Sequence, residues 1–190
     1  MVLVILQSLF FFLPSYLGNA APVILAHFKI AERLAVPVDG GRRLWGEPAF
    51  GATKTWRGIL GGALFGCLTG LLQAWLWQWS PDAGFLFLTE YSWSFGALLG
   101  LLLGLGEGIG DLIKSFFKRR LHIKSTAAFF PFDQLSFIGA LLFSALVFIP
   151  SVQHLIVICI ASIVIPVISN YAAFRLGWKK VPWGVRFTRL

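Results

Sequence analysis

The sequence predicts an all-α polytopic membrane protein with five transmembrane helices, its N-terminus outside and its C-terminus in the cytoplasm. Two observations carry this. Of the 190 residues, 57% are hydrophobic and only 13% are charged, well outside the soluble globular norm. All 16 Lys and Arg residues fall in three short segments, 29–57, 114–124 and 175–189, separated by long apolar stretches that contain none. Basic residues flanking spans stay on the cytoplasmic side. The three segments therefore share that side, and the turns around Pro81, Asp82 and Glu90 and around Pro150 to Gln153 lie opposite. The length leaves room for a single integral membrane domain over residues 1–190.

A bilayer is crossed by about 20 apolar residues, and the chain offers five such stretches: residues 3–28, 57–79, 93–115, 134–150 and 152–174, with cytoplasmic loops at 29–56 and 116–133. The first is interrupted by Pro14, Gly18 and Pro22, with Asn19 among them, so it is expected to bend where neighbouring helices satisfy the freed backbone groups. A cleaved signal peptide is the competing reading of Val2 to Leu13, with Gly18-Asn19-Ala20 as the cleavage site. It lacks a basic leading region, and cleavage would put the basic loop from Lys29 to Arg57 outside. The second and third stretches carry glycine ladders, Gly58, Gly62, Gly66 and Gly70, and Gly96, Gly100, Gly104 and Gly108. Four-residue spacing sets each ladder on one helix face, where two backbones can approach closely. Trp75, Trp77, Trp79 and Trp93 read as an interfacial belt at the external boundary. Cys67 and Cys159 lie inside spans, too few and too deep for a disulfide framework. His27, His122 and His154 are scattered and read as incidental.

Chemistry concentrates at the predicted cytoplasmic end of the third helix, in Gly106-Glu107-Gly108-Ile109-Gly110-Asp111-Leu112-Ile113-Lys114-Ser115-Phe116-Phe117-Lys118-Arg119-Arg120. If the helix continues through this run, Glu107, Asp111, Ser115 and Lys118 share one stripe, with the two acids about 6 Å apart along the axis. A charge inside a span costs about 2.5 to 3.5 kcal/mol on insertion scales, so these acids need a reason to be there. Asp133 heads the next stretch. Alone it reads as a helix N-cap; beside Asp111 it reads as half of a carboxylate pair. Two carboxylates among clustered Lys and Arg suit Mg²⁺ and polyphosphate, because hard cations share oxygen ligands with substrate phosphates.

The first loop adds Pro37-Val38-Asp39 and Gly51-Ala52-Thr53-Lys54-Thr55-Trp56-Arg57-Gly58. It is not a phosphate-binding P-loop, since Thr53 stands where Gly is required and no strand precedes it. Lys54, Thr55 and the N–H groups opening the second helix still present donors to an anion. The alternative is a basic anchor with a Thr cap.

These runs together resemble the membrane-integral CTP:lipid cytidylyltransferases, and among them the small five-span CDP-archaeol synthase family. The resemblance rests on Asn19 before Ala21-Pro22, on Pro37 to Asp39, on Gly51 to Gly58, on Gly110 to Arg120, on Asp133-Gln134-Leu135 and on Lys179-Lys180-Val181-Pro182-Trp183. The run Ser125-Thr126-Ala127-Ala128-Phe129-Phe130 departs from it in being more apolar. The resemblance implies Mg²⁺-dependent transfer of CMP from CTP to an isoprenoid glycerol-phosphate lipid, giving CDP-lipid and pyrophosphate at the cytoplasmic face of the cell membrane. It implies that Asp111, Asp133 and Lys118 are catalytic and that Asp111 and Asp133, with Glu107, hold metal. Lys54, Thr55, Arg57, Asp39, Asn19, Ser115, Arg119 and Arg120 would then bind or shape substrate. The implied partners are CTP, the lipid acceptor and membrane lipids, with no nucleic acid.

That chemistry fits the residues. A lipid phosphate is ionised at neutral pH and needs no base, so anion repulsion limits its attack on CTP; cations and alignment are what a protein must supply. The other readings within the enzyme class are a diacyl phosphatidate cytidylyltransferase and a CTP-dependent lipid kinase. A basic lipid-binding scaffold or transporter would tolerate Asp111→Asn, whereas an Mg²⁺ enzyme would not. A lipid-open groove between spans is expected, since the acceptor's tails must come from the bilayer.

Overall fold

In the computed structural model, residues 1–123, 133 and 135–178 are described. The run 125–130, Gln134 and Lys179 to Trp183 lie outside the described residues. The chain forms helices α1 (Val2–His27), α2 (Trp56–Trp79), α3 (Trp93–Arg120), α4 (Leu135–Ser144) and α5 (Val152–Arg175). Short 3-10 turns span Glu32–Leu34 and Pro81–Leu86, and a two-stranded hairpin pairs β1 (Arg43–Leu44) with β2 (Glu47–Pro48).

Among the described residues, α1, α2, α3 and α5 are long and apolar enough to cross a membrane. α1 runs unbroken through Pro14 and Pro22. α4 departs from the span expected over 134–150. Its 10 residues rise about 15 Å, short of a hydrocarbon core about 30 Å thick. The Ser144 hydroxyl donates back to the Leu141 carbonyl at 2.9 Å, a local bond that competes with helix continuation. Ala145 to Val147 then form a turn before Pro150.

Helix packing follows the glycines. α2 and α3 run antiparallel with Gly70 against Gly96, Gly66 against Gly100 and Gly62 against Gly104. A Cβ at Gly66, Gly70, Gly96, Gly100 or Gly104 would collide with the facing backbone, and one at Gly62 would press on Gly18 of α1. Gly58 and Gly108 do not extend the ladder as expected: Gly58 faces Pro22 of α1, and Gly108 has ordinary clearance, 3.6 Å, from Ile59. A second seam joins Gly106 and Gly110 of α3 to Gly139 of α4. Gly18 seats α1 in the notch between Gly62 and Gly104, where an added Cβ would stand 3.1 Å from each backbone. α3 thus touches α1, α2 and α4, while α5 packs on α1.

The helix directions gather one kind of chemistry at each end. At the end holding Met1, Phe87 makes edge-on contacts with Phe10, Tyr91 and Trp77 at 4.8, 4.9 and 5.1 Å. Trp77 therefore belongs to this aromatic cap, whereas Trp75, Trp79 and Trp93 are exposed as a belt requires. Gln7 donates to the Phe85 carbonyl at 2.9 Å and contacts His154 Nε2 at 3.2 Å, whose Nδ1 meets Ser151 Oγ at 2.7 Å. His154, expected to be incidental, ties α5 to α1. The C-termini of α1, α3 and α5, the N-terminus of α2 and the hairpin form the opposite end, which carries the basic residues.

Candidate active site

The end of α3 continues as one helix through Arg120, so the acid and cation stripe exists. Asp111 is its centre. Lys54 Nζ pairs with Asp111 Oδ2, and Lys114 Nζ pairs with Oδ1 at 2.7 Å. Lys118 Nζ meets Asp133 Oδ1 at 2.9 Å, with the two side chains only 7% and 8% exposed. Lys114 also lies in the fields of Glu107 and Asp133, so carboxylates and ammoniums alternate along a continuous strip. A buried pair of this kind forfeits much of its Coulomb energy to desolvation, which makes it weak as a stability device and suited to exchanging partners.

Lys54 is delivered by its backbone. Its carbonyl accepts from Val38 N at 2.8 Å, and its N–H donates to Gly51 O at 3.0 Å. Next to it, Thr55 caps α2 by accepting from Gly58 N at 3.3 Å. Thr55 thereby spends its hydroxyl on the helix terminus. Arg57 is half-buried in the first turn of α2 and pairs with no acid among the described residues.

Among the other predicted site residues, Asp39 and Arg120 bind backbone groups of the first loop. Asp39 is buried and accepts from Phe50 N (2.9 Å) and Gly51 N (3.0 Å) through Oδ2 and from Gly41 N (3.0 Å) through Oδ1. Burial pushes its carboxyl upward, but the three backbone donors outweigh burial and hold it below the usual aspartate range. Arg120 Nη1 donates to the carbonyls of Pro48 (2.8 Å) and Ala49 (3.2 Å), and its guanidinium lies 4.0 Å from the centre of the Phe116 ring. It fastens the hairpin to α3. The hairpin tip, Trp45 and Gly46, has φ of 50° and 83°, the two positive values of a type I′ turn. Arg119 lies against Gly51, whose φ of +94° leaves space where a Cβ would stand 3.1 Å from the guanidinium Nε. That buried Nε has no hydrogen-bond partner among the described residues.

Glu107 sits one turn below Asp111, 5% exposed, and accepts from Ser15 Oγ at 3.1 Å; Ser136 of α4 is a second hydrogen-bonding neighbour. It thus joins α1, α3 and α4 beneath the strip. Ser115 is 3% exposed and packed within the bundle. Asn19 faces elsewhere, into a cavity of about 270 Å³ between α1 and α5 that is lined by Tyr16, Val23, Ile165, Pro166 and Trp178 among others and by no member of the strip.

The expected set omits Lys114, which the structure puts at the middle of the strip. Its signal is its position three residues after Asp111, the spacing of neighbours on one helix face. Among the described residues no three His, Cys, Asp or Glu side chains form a metal-holding group. Two carboxylates with ammoniums at hand nevertheless fit a hard divalent cation that completes its oxygen shell with substrate phosphate and water.

Comparison with known proteins follows the same lines. The family model described as CarS-like CDP-archaeol synthase matches residues 1–183. The chain is similar to the CDP-archaeol synthase of Thermococcus gammatolerans, with 37% identity over 93% of this chain and 95% of that protein. That of Thermococcus onnurineus is 35% identical over 94% of this chain and 97% of that protein. A solved structure of an intramembrane enzyme for archaeal membrane lipid biosynthesis shares its fold, with a TM-score of 0.68 and 29% identity over 88% of this chain and 94% of that one.

Proposed function

The chain belongs to the CDP-archaeol synthase family, and we propose that the strip of Lys54, Asp111, Lys114, Lys118 and Asp133 is where it binds and aligns its two phosphorylated substrates. It is a CTP-dependent cytidylyltransferase of the membrane that transfers CMP to an archaeol-phosphate lipid and forms CDP-archaeol. The observation that carries the site is the alternation of carboxylates and ammoniums at the basic end of the bundle.

A phosphate oxygen of the lipid attacks the α-phosphorus of CTP, the bond to the β-phosphate's bridging oxygen breaks, and pyrophosphate leaves. Both reactants are anions, so the protein's task is to remove repulsion and fix the line of attack. Lys54, Lys114, Lys118 and the unspent Nε of Arg119 take phosphate charge. Asp111 and Asp133 are the metal ligands of this reading. Mg²⁺, when bound, neutralises triphosphate charge and polarises the phosphoryl oxygens. Asp39, Thr55 and Arg120 keep the loop that delivers Lys54 in place, and Glu107 braces the helix beneath.

The basic end faces the cytoplasm in this reading, as flanking-charge bias requires. The N-terminus lies outside, and α4 with the turn after it supplies the fourth of five membrane segments in a single domain. The cavity between α1 and α5 is the entry for lipid tails: its walls are apolar apart from Asn19, Tyr16, Ser169 and Asn170, which suits a polar head attached to long hydrocarbon.

The test is transfer from radiolabelled CTP to geranylgeranyl, saturated archaeal and diacyl glycerol phosphates, with and without Mg²⁺ and with Asp111→Asn. Mg²⁺-dependent CDP-lipid formation that disappears in the variant is the expected result. A phosphorylated lipid carrying no CMP would indicate a kinase, and folded protein that makes no CDP-lipid with any of the acceptors would refute the reading.

A further inference from the structure

We infer that Lys54 and Lys114 form a latch on Asp111 that excludes free divalent cations and opens only to a nucleotide triphosphate, so that metal enters as the nucleotide complex. This rests on the substrate-binding reading of the strip. Each oxygen of Asp111 already holds an ammonium, and the carboxylate of Asp133 holds a third. A bare dication would have to displace these lysines with no other anion to receive them, in a site where three ammoniums surround two carboxylates. Like-charge repulsion and unpaired, half-buried ammoniums both oppose that step. A metal-bound triphosphate reverses the balance, because its oxygens take over the lysines as the metal takes over the carboxylates.

The geometry allows the exchange. The backbone of Lys54 is fixed by Val38 and Gly51, so its head moves on a flexible four-carbon stem without disturbing the loop. Lys114 and Lys118 are one turn apart on α3, so their heads can converge on one anion. Asp111 loses nothing in the exchange, since it trades two cations for one of higher charge. Nucleotide and metal are then positively coupled, by the same factor whichever is added first.

Manganese binding to the detergent-purified full chain tests this, read from the electron paramagnetic resonance of the free ion with and without saturating α,β-methylene CTP, which cannot react. Wild-type protein should bind Mn²⁺ at least about tenfold more tightly with the analogue. Lys114→Met should raise affinity for Mn²⁺ alone by a similar factor and reduce the coupling, whereas Lys114→Arg, which keeps the charge, should retain it. Asp111→Asn in the Lys114→Met background should remove the gained Mn²⁺. Equal Mn²⁺ affinity with and without bound analogue in the wild type would overturn the latch while leaving the substrate reading intact. An analogue that binds neither with nor without metal would sink the substrate reading itself.

Discussion

The two halves of α3 solve opposite problems. From Gly96 to Gly104 the helix carries glycine at every fourth residue on one face, and there its backbone lies directly on that of α2. From Glu107 to Arg120 it carries two acids and four cations, all but Arg119 with an ammonium, a carboxylate, a hydroxyl or a carbonyl as partner among the described residues. The face of the first half that meets α2 tolerates no added atom; the second half tolerates charge because its acids and cations pair, within the helix between Asp111 and Lys114 and otherwise with other segments. The bare half sets the height and rotation of the helix, and the charged half uses that setting to meet Lys54 and Asp133. In lipid, where association cannot rely on hydrophobic burial, close packing of small residues supplies this rigidity.

Substitutions can separate the two roles. Asp111→Asn should lower CDP-lipid formation at least about a hundredfold, the scale expected when a transition-state electrostatic group is lost, while leaving a folded protein by size-exclusion chromatography. If it unfolds the protein as readily as a glycine substitution, the division of labour is wrong. Gly100→Leu should do the reverse and destroy the packing itself, at a cost of about 3 kcal/mol or more for an overfilled seam. The readout is aggregation or a lowered thermal midpoint, with activity lost in proportion to folded protein. Arg120→Ala should free the hairpin and raise the KM for CTP about tenfold with a smaller change in kcat, since a positioning residue has been removed; steady-state kinetics and proteolysis of the first loop check this together. Gly108→Ala should change stability by less than about 0.5 kcal/mol, because the space beside it is ordinary, and thermal denaturation would reveal a larger effect.

Acid sharpens the contrast from the loop side. The carboxyl of Asp39 is held below its unfolded value, about 3.9, by its backbone donors. Its contribution is therefore complete above that pH and is lost as pH falls through the folded value. Amide protection at Phe50 and Gly51 should stay constant from pH 8 to about 5 and fall below about 4. Loss of protection near neutrality would show that Asp39 does not hold the loop.

The helices were legible because Lys-free apolar runs and glycine spacing are local signals. α4 was not: residues 134–150 carry no charge and are mostly apolar, and hydropathy does not register the hydroxyl of Ser144 turning back on Leu141. Asp111, Lys54 and Lys118 stood out by charge and spacing, but the partners of Asp39 and Arg120 did not, since charge alone does not say whether a residue grips a ligand or its own backbone. Lys114 was hidden among flanking cations, and Asn19 lines a cavity whose other wall is a helix some 150 residues away in the chain.

α5 touches the rest of the molecule chiefly through α1, pinned at one end by Gln7 and His154 and at the other by the stacked rings of His27 and Trp178. Between the fastened ends, beyond the buried Ile158 and Ser162, the cavity forms a buttonhole in the flank of the protein. In the proposed reading a branched isoprenoid chain slips through it sideways, and the finished product returns to the bilayer by the same slit without the bundle ever coming apart.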